Sequence, residues 1–371
     1  MRILAVDVGT GTQDILLFDS NREITNCFKM VMPSPTVLVA QRIRRATARG
    51  ESLLLTGTTM GGGPCHWAAN DHLKAGYAIY ATPAAAQTFD DDLSRVEEMG
   101  VNLVDDDQIA DLPGLCHVEM KDFDYVAIAS AMRAFHVELE EVDALAIAVF
   151  DHGAAPPGYS DRRFRFDYLA ERLKADRELR GFAFWRDEIP PRFTRLQAVA
   201  NSADGTRPVM VMDTGPAAVL GALEDPQVSS QRSCIVVNIG NFHTLACHLA
   251  EGKVAGLFEH HTGEITREEL EAYLYKLAEG VITNDEVFDD MGHGALVLSR
   301  GGPKPSFFAV TGPRRSLIRG VSLSLYDAVP HGDMMLAGCF GLVRAYAGKD
   351  PDHREEIEAT LAGTGDARSL W

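Results

Sequence analysis

The residues best suited to chemistry lie in a glycine- and threonine-rich loop near the N-terminus, Asp7-Val8-Gly9-Thr10-Gly11-Thr12. Glycines let consecutive backbone N–H groups turn toward one anion, and threonine hydroxyls add further donors. Asp7 would repel bare phosphate, but a carboxylate can hold Mg²⁺, commonly through water. The loop therefore predicts a site for a magnesium-bound phosphate. An ordinary hairpin with a glycine turn is the alternative that the loop alone leaves open.

Apolar stretches at 3–8 and 14–18 flank this loop and predict a β-hairpin. The pattern returns 231 residues later, where Val237-Asn238-Ile239-Gly240 aligns with Val6-Asp7-Val8-Gly9. Such a repeat predicts two similar domains, each offering one hairpin loop to a shared cleft. Ligand sites favour clefts of this kind.

Strand and helix signals alternate along the chain, which indicates an α/β fold. Helices are predicted at 34–50, 84–99 and 123–137, and buried strands at 53–55, 144–150 and 209–212. We place the first domain at 1–212, completed by 335–371, and the second at 213–334.

Asp213 follows the predicted strand 209–212 and precedes an apolar helical segment. A carboxylate at a strand end can act as a general base that aligns a hydroxyl or water with the γ-phosphate. It can equally cap the following helix by accepting from a backbone N–H group. The sequence leaves both roles open.

Two further loops are candidates for substrate binding. The loop 56–66 follows a strand and leads into a helix, a geometry that can hold an anion at the helix N-terminus; a flexible connection is the alternative. The loop 151–158 ends a buried strand, where sites of α/β proteins collect. The arginines just beyond it, at 162, 163 and 165, could bind a carboxylate or phosphate, or form a solvated basic turn. The candidate substrate residues are Thr58, Thr59, Gly61, Gly62, His152 and Gly215.

Charge and composition limit the classes of partner that we expect for the protein. The chain has 371 residues, with 35 Lys and Arg against 53 Asp and Glu, a net charge of −18. It lacks the basic footprint that nucleic acids or anionic membranes require, so we expect neither as a partner. No apolar run approaches the roughly 20 residues of a membrane helix, and Asp7 interrupts the apolar N-terminus, so we expect no export signal and a cytoplasmic protein.

Metal-ligating side chains show no familiar spacing. The six cysteines lie at least 13 positions apart, so they form no CxxC pair and no close triplet, and reduced thiols are expected. Metal binding by His66, His152, His260 and His261 is a weaker hypothesis, because no HxxxH or HxH spacing supports it.

Several segments carry a family resemblance. The loop 6–12 resembles the first phosphate loop of the actin, sugar-kinase and heat-shock-chaperone ATPase superfamily, and 234–244 resembles its second phosphate loop. Residues 307–313 resemble the adenosine-contacting strand and turn, and 332–346 the late interdomain helix. The segment 214–222 is similar to one in ATP-dependent hydantoinase and oxoprolinase subunits. The resemblance implies two duplicated actin-like (ribonuclease H-like) α/β domains around an interdomain nucleotide cleft.

The resemblance also implies ATP and Mg²⁺ as cofactors, with Asp7 holding the metal and Asp7 and Asp213 as catalytic residues. The implied nucleotide-contacting residues are Gly9, Thr10, Gly11, Thr12, Asn238, Gly240, Asn241, Phe242, His243, Thr311 and Gly312. The activity would be phosphoryl transfer to a small molecule or ATP hydrolysis. An ATP-dependent activator or remodeller of a partner enzyme, and a nucleotide sensor that does not hydrolyse, are the alternatives. A homodimer is left open.

The second loop departs from the family pattern. Asn238 stands where an aspartate is usual, so it can donate or accept hydrogen bonds but supplies no charge. Asn241 and Phe242 stand where the family usually has a small Gly-Thr pair. The bulky Phe242 side chain would narrow the expected γ-phosphate pocket. Closer still, the chain resembles a branch labelled pyruvate formate-lyase activating enzyme. A radical-generating activase needs a close cysteine triplet for its cluster, and this sequence has none.

Overall fold

The computed structural model describes residues 1–203, 205–299 and 304–364. The strands of the described residues are β1 (Arg2–Val8), β2 (Thr12–Asp19), β3 (Phe28–Pro33), β4 (Leu53–Gly57), β5 (Ile79–Ala81), β6 (Val101–Leu103), β7 (Cys116–Met120), β8 (Ala144–Val149), β9 (Ala183–Trp185), β10 (Val209–Asp213), β11 (Ser233–Ile239), β12 (His243–Ala250), β13 (Lys253–His261), β14 (Gly294–Val297), β15 (Phe307–Thr311) and β16 (Leu325–Asp327).

The α-helices of the same residues are α1 (Pro35–Arg49), α2 (Pro64–Lys74), α3 (Pro83–Ala86), α4 (Leu93–Met99), α5 (Tyr125–Arg133), α6 (Asp161–Ala175), α7 (Thr194–Ser202), α8 (Thr214–Ala222), α9 (Pro226–Ser229), α10 (Arg267–Glu279), α11 (Asn284–Asp289), α12 (Ala337–Lys349) and α13 (Arg354–Leu361). None of these helices is long and apolar enough to cross a membrane.

Two six-stranded sheets share the topology of five strands, and their sixth strands, β9 and β14, lie at opposite edges. The first has the order β3-β2-β1-β8-β10-β9, and the second has the order β14-β13-β12-β11-β15-β16. In each, three consecutive antiparallel strands are followed by two strands that run parallel to the first of them. The α/β class and the duplication predicted from the sequence are therefore confirmed.

The two opening hairpins also have the same register. Val6 pairs with Ile15 in the first, and Val237 pairs with Ala246 in the second, so the offset of 231 holds in both strands of the hairpin. Strand β11 is covered on both faces. Its alternate residues Cys234 and Val236 pack into the central core with the first sheet, whereas Ile235 packs into a separate core against α10.

A third sheet lies between β3 and β8 in the chain, within the predicted first domain. It has four parallel strands in the order β6-β5-β4-β7 and a hydrophobic core of its own, formed with α1 and α2. The sequence did not separate this unit, because its alternating strands and helices continue the pattern around it. The predicted helix 84–99 is wrong: α3 and α4 are short, and Asp92 begins the second by accepting from the Ser94 N–H. The domain bounds remain a prediction, and 365–371 lie outside the described residues.

Helices α8 and α12 pack between the two six-stranded sheets, where the sequence predicted that the chain crosses between domains. Glycines permit their close approach. A Cβ atom on Gly221 would overlap the Ala337 carbonyl oxygen, and one on Gly341 would overlap the Ala217 carbonyl oxygen. The two backbones are therefore in direct contact, which joins the two halves of the molecule through a rigid pair of helices.

Candidate functional site

The two predicted phosphate loops are built in the same way. In the first loop, residues 9–12, the Gly9 N–H donates to the Thr12 carbonyl at 2.9 Å. In the second loop, residues 240–243, the Gly240 N–H donates to the His243 carbonyl at 2.9 Å. A Cβ atom on Gly240 would lie 2.7 Å from that carbonyl oxygen, so the tight turn requires glycine there.

The loops separate two cavities. The larger has a volume of about 810 Å³ and the smaller about 70 Å³. The residues that line both are Gly9, Thr10, Thr214, Asn238, Gly240 and Asn241. The paired loops and the start of α8 therefore form a shared wall, and a group held at this wall is accessible from both sides.

Two buried carboxylates line the small cavity. Asp7 accepts a hydrogen bond from the Thr214 hydroxyl at 2.6 Å, and the cross-strand partner of Asp7 in the hairpin register is Asp14. Burial raises the pKa of Asp7 to about 7. Burial, together with the charge of Asp7, raises the pKa of Asp14 to about 8. The pair lacks a compensating cation among the described side chains, because no Lys or Arg bonds to either carboxylate.

Unpartnered oxygens point to a polar ligand in the small cavity. Asp14 Oδ1 and Thr311 Oγ1 are buried without a hydrogen-bond partner, and both residues line this cavity together with Gly312. Carboxylate oxygens are the ligands that Mg²⁺ prefers, so Asp7 and Asp14 fit a magnesium ion. The sequence analysis missed Asp14. The signal was present, because residues opposite each other in a hairpin share one face.

Asp213 is engaged by other groups. It caps α8 by accepting from the Gly215 N–H at 3.1 Å, and both of its oxygens accept from Arg165, at 2.6 and 3.1 Å. It lines neither cavity. The capping alternative is therefore confirmed, whereas the role of Asp213 as the general base stays a prediction: three of its roughly four acceptor positions are taken by Arg165 and the Gly215 N–H.

Arg165 organises the base of the large cavity. Besides Asp213 it donates to both oxygens of Glu259, at 2.7 and 2.8 Å, and to the Asp151 carbonyl at 2.9 Å. Its guanidinium also stacks 3.7 Å from the centre of the Phe150 ring. Burial raises the pKa of Glu259, although the charge of Arg165 opposes this. The solvated basic turn considered from the sequence is wrong for this residue, which lies buried on α6.

The predicted substrate loop lies against the phosphate loops. Thr59, Gly61 and Gly62 line the large cavity, whereas Thr58 does not. A Cβ atom on Gly63 would lie 3.6 Å from the Thr10 methyl group and 3.9 Å from the Phe242 ring. The third sheet therefore brings its loop over the cleft between the two hairpins.

An ion pair between the buried Asp122 and the partly buried Arg195 supports this loop. The Gly61 N–H donates to Asp122 at 3.1 Å, and Asp122 accepts from Arg195 Nε at 2.6 Å. Arg195 also donates to the Phe150 carbonyl and lines the large cavity. The cavity thus has a positively charged side chain at its wall. Neither Asp122 nor Arg195 was selected from the sequence, because their pairing joins positions 73 residues apart.

The departures in the second loop have structural counterparts. The Asn241 amide fills the space beside the first loop, 2.5 Å from where a Cβ atom of Gly11 would lie. The Phe242 ring lines the large cavity and lies 5.9 Å from the Trp67 ring. Gly11 lines neither cavity, whereas the other implied nucleotide-contacting residues line one or both. Gly215 and His152 line the large cavity, as the substrate prediction requires.

Three histidines meet at the large cavity: His152, His243 and His293 each offer a ring nitrogen, and these nitrogens lie within 4.8 Å of one another. Of the four histidines considered from the sequence, only His152 belongs to this group. His66 contacts Phe89, and the His261 ring packs 4.6 Å from that of His293. The sequence analysis did not select His293, because the three residues come from distant segments.

Two sheets with the same order of five strands, one hairpin loop from each, and a pair of helices between them define an actin-like, ribonuclease H-like α/β protein. The chain belongs to the DUF1786 family, described as putative pyruvate formate-lyase activating enzyme, whose model matches residues 60–317, more than half of the chain. None of the curated proteins compared with the chain matches it.

Solved structures resemble the chain at low identity. A Listeria monocytogenes protein described as a putative N-acetylmannosamine kinase is 10% identical, with a TM-score of 0.36, over 94% of this chain and 99% of that one. The ethanolamine utilization protein EutJ from Carboxydothermus hydrogenoformans is 11% identical, with a TM-score of 0.35, over 92% and 89%. A ROK hexokinase from Thermus thermophilus is 12% identical, with a TM-score of 0.31, over 94% and 100%. These similarities are too distant to bear on the activity of this chain.

The cysteines do not fit the activity in the family's description. The described residues include all six, on or beside six different elements, and no three of them lie together as a ligand group. A radical-generating activase needs cysteine thiolates around an iron–sulfur cluster. The chain therefore offers no cysteine site for such a cluster.

Proposed function

We propose that the chain binds Mg-ATP at the small cavity and transfers a phosphoryl group to a small molecule held in the large cavity. The observation that carries this proposal is the shared wall: two equivalent hairpin loops, one from each sheet, stand between the two cavities. Backbone N–H groups of such loops suit phosphate oxygens. A phosphoryl group at the wall would face an acceptor on the other side.

Asp7 and Asp14 are the residues that would hold the magnesium ion. When bound, Mg²⁺ neutralises phosphate charge in phosphoryl transfer. The Thr214 hydroxyl, which donates to Asp7, fixes the orientation of that carboxylate. An acidic chain can hold an anionic nucleotide in this way, because amides and a metal ion supply the attraction in place of basic side chains.

Asp151 replaces Asp213 as the proposed general base. It lies at the carboxyl end of β8, lines the large cavity, and accepts from the backbone N–H groups of Gly153 and Leu196 at 2.8 and 2.9 Å. Burial raises its pKa to about 6, close to the range in which a carboxylate accepts a proton efficiently near neutral pH. It would take the proton from the hydroxyl of the acceptor.

Nucleotide entry requires the loops to separate. The small cavity, at about 70 Å³, is well below the roughly 300–1,000 Å³ of small-molecule sites. The Asn241 amide against Gly11 occupies the space between the loops. We infer that the structure is a closed state and that the two halves open around α8 and α12 to admit ATP, as lids and domains do in many enzymes.

The proposal is tested by calorimetric titration of ATP and ADP with Mg²⁺, followed by phosphate-release and phosphorylation assays across hydroxyl and carboxylate acceptors. Asp7→Asn is expected to lower Mg-dependent turnover at least about 100-fold, because the metal ion loses a charged ligand. Asp19→Asn, at the far end of β2 and paired with Arg2 and Arg22, is the matched control and keeps wild-type turnover.

Three outcomes are informative. The proposal fails if no nucleotide binds, or if Asp7→Asn binds and turns over nucleotide as the wild type does. Binding without turnover for any acceptor would favour the nucleotide sensor. Turnover that appears only after a second protein is added would favour the activator of a partner enzyme.

A further inference from the structure

The histidine cluster lies at the large cavity, and its member His243 ends the second loop. We propose that His152, His243 and His293 form a site for a divalent transition metal ion of the zinc type, with an open coordination position toward the large cavity. The inference does not depend on the proposed magnesium site, because none of the three residues lines the small cavity that Asp7 and Asp14 line.

The three residues come from separate segments that the fold brings together. His152 follows β8 in the first half of the molecule, His243 begins β12, and His293 precedes β14. Their nitrogens lie within 4.8 Å of one another. Zinc–nitrogen bonds of 2.0–2.1 Å in a tetrahedral site put ligand nitrogens about 3.4 Å apart. No pair therefore has to approach by more than about 1.4 Å, a distance that side-chain rotation can supply.

Unsatisfied nitrogens mark the place of a missing partner. His243 Nε2 and both ring nitrogens of His293 are buried without a hydrogen bond. Buried polar groups without partners are rare because each costs free energy, and three at one point call for a ligand. Burial lowers the pKa of His152 to about 3 and holds the pKa values of His243 and His293 well below the usual range. The imidazoles are thus neutral, which is the form that binds metal ions.

The loop that carries His293 is tightly constrained. A Cβ atom on Gly292 would lie 2.5 Å from the Val287 carbonyl oxygen, and one on Gly294 would lie 2.7 Å from the Phe166 ring. Gly294 has φ of 150°. Met291, the residue before Gly292, has φ of 66°, an uncommon backbone conformation for a residue with a side chain. Such conformations persist where the surroundings enforce them, and they often occur at functional sites. The two glycines on either side of His293 therefore fix the position of its imidazole.

Charged groups of both signs lie near the three histidines. Glu259 Oε2 lies 3.8 Å from His293 Nδ1, too far for a hydrogen bond but correctly placed to orient the ring after a small shift. A carboxylate behind a metal-bound histidine is the usual arrangement. Besides burial, the positive charges of Arg165, Arg162 and Arg195 lower the pKa values of His152 and His293, so the neutral imidazoles, and not the surrounding charge, would hold the ion.

The open position determines the kind of ligand. His152 and His243 line the large cavity, so a fourth ligand would come from it. Three histidines with one exchangeable position are typical of catalytic zinc, whereas structural zinc is closed by four protein ligands. The metal would bind an oxygen of the molecule in the cavity, a carboxylate, carbonyl or hydroxyl. Because His243 ends the second loop, that oxygen would lie beside the shared wall.

The test is a metal titration of the chelator-stripped full chain with Zn²⁺ and Co²⁺, without nucleotide. We expect one equivalent of metal and a tetrahedral Co²⁺ absorption spectrum. His243→Asn and His293→Asn should each weaken binding at least about 100-fold, more than the loss of an outer-shell partner costs. His248→Asn, on the same strand as His243 but outside the cluster, is the matched control and keeps wild-type affinity.

The proposal is overturned if the wild type binds less than one equivalent tightly, or if both cluster variants retain its affinity. Circular dichroism and thermal unfolding check that the variants fold. Should they unfold, His152→Gln, in a loop rather than a strand, and the Co²⁺ spectrum of the wild type decide the question. Metal binding without any nucleotide binding would leave this site standing while the proposed function fails.

Discussion

Replacement of Arg165 by methionine is expected to lower the free energy of unfolding by about 3–5 kcal/mol, because the change leaves two buried carboxylates without their counter-ion. Each carboxylate loses two hydrogen bonds from the Arg165 guanidinium: Asp213 loses those at 2.6 and 3.1 Å, and Glu259 loses those at 2.7 and 2.8 Å. Both carboxylates are buried, so water replaces the guanidinium poorly. Denaturant unfolding at neutral pH measures the loss.

The control for this prediction lies two positions earlier. Arg163 is on the exposed face of the same helix and stacks on Phe288, so Arg163→Met should cost no more than about 1 kcal/mol. The combined variant R165M/D213N/E259Q removes all three charges and should recover part of the lost stability. Equal effects of R165M and R163M would show that the buried network does not matter.

Replacement of Gly341 by alanine is expected to cost at least about 3 kcal/mol, at or above the upper end of ordinary overpacking. The added methyl group would overlap the Ala217 carbonyl oxygen, which belongs to the backbone of α8 and cannot rotate away. The two helices would have to separate. Because they join the halves of the molecule, nucleotide binding should weaken in parallel if the proposed function is correct.

Gly348 in the same helix is the matched control for Gly341. A Cβ atom there would lie 3.2 Å from Arg180 Cδ, part of a flexible side chain that can shift. Alanine has a better helix propensity than glycine, by up to about 1 kcal/mol, so G348A should be neutral or slightly stabilising. Thermal and denaturant unfolding should therefore show a large loss of stability for G341A and no loss for G348A. A loss at Gly348 as large as at Gly341 would contradict the close-approach argument.

Much of the architecture could be predicted from local pattern. The hairpin repeat predicted the two halves and their register, because a strand's alternation and its glycine turn are local properties. Asp7 and the two loops were selected by the same means, whereas the segment at 311–312 was selected from the family resemblance. The four-stranded sheet was not separated, since an inserted unit of alternating strands and helices has the same local pattern as the domain around it.

Less of the candidate site than of the fold could be predicted from the sequence. Asp213 was selected as a base from its position after a strand, and only the fold shows that Arg165 from α6 binds both of its oxygens. Asp14 became a metal-binding candidate through cross-strand pairing with Asp7. His152, His243 and His293 are separated by long stretches of chain, and no spacing rule connects them.

The sequence by itself determined the two hairpin loops, the acidic character of the chain and the absence of a close cysteine triplet, because each depends on residue type and short-range spacing. The tertiary structure decided which carboxylates are free and which are paired, where the cavities lie, and which histidines meet. Those properties depend on contacts between residues far apart in the chain, whose positions are set by the packing of whole sheets and helices.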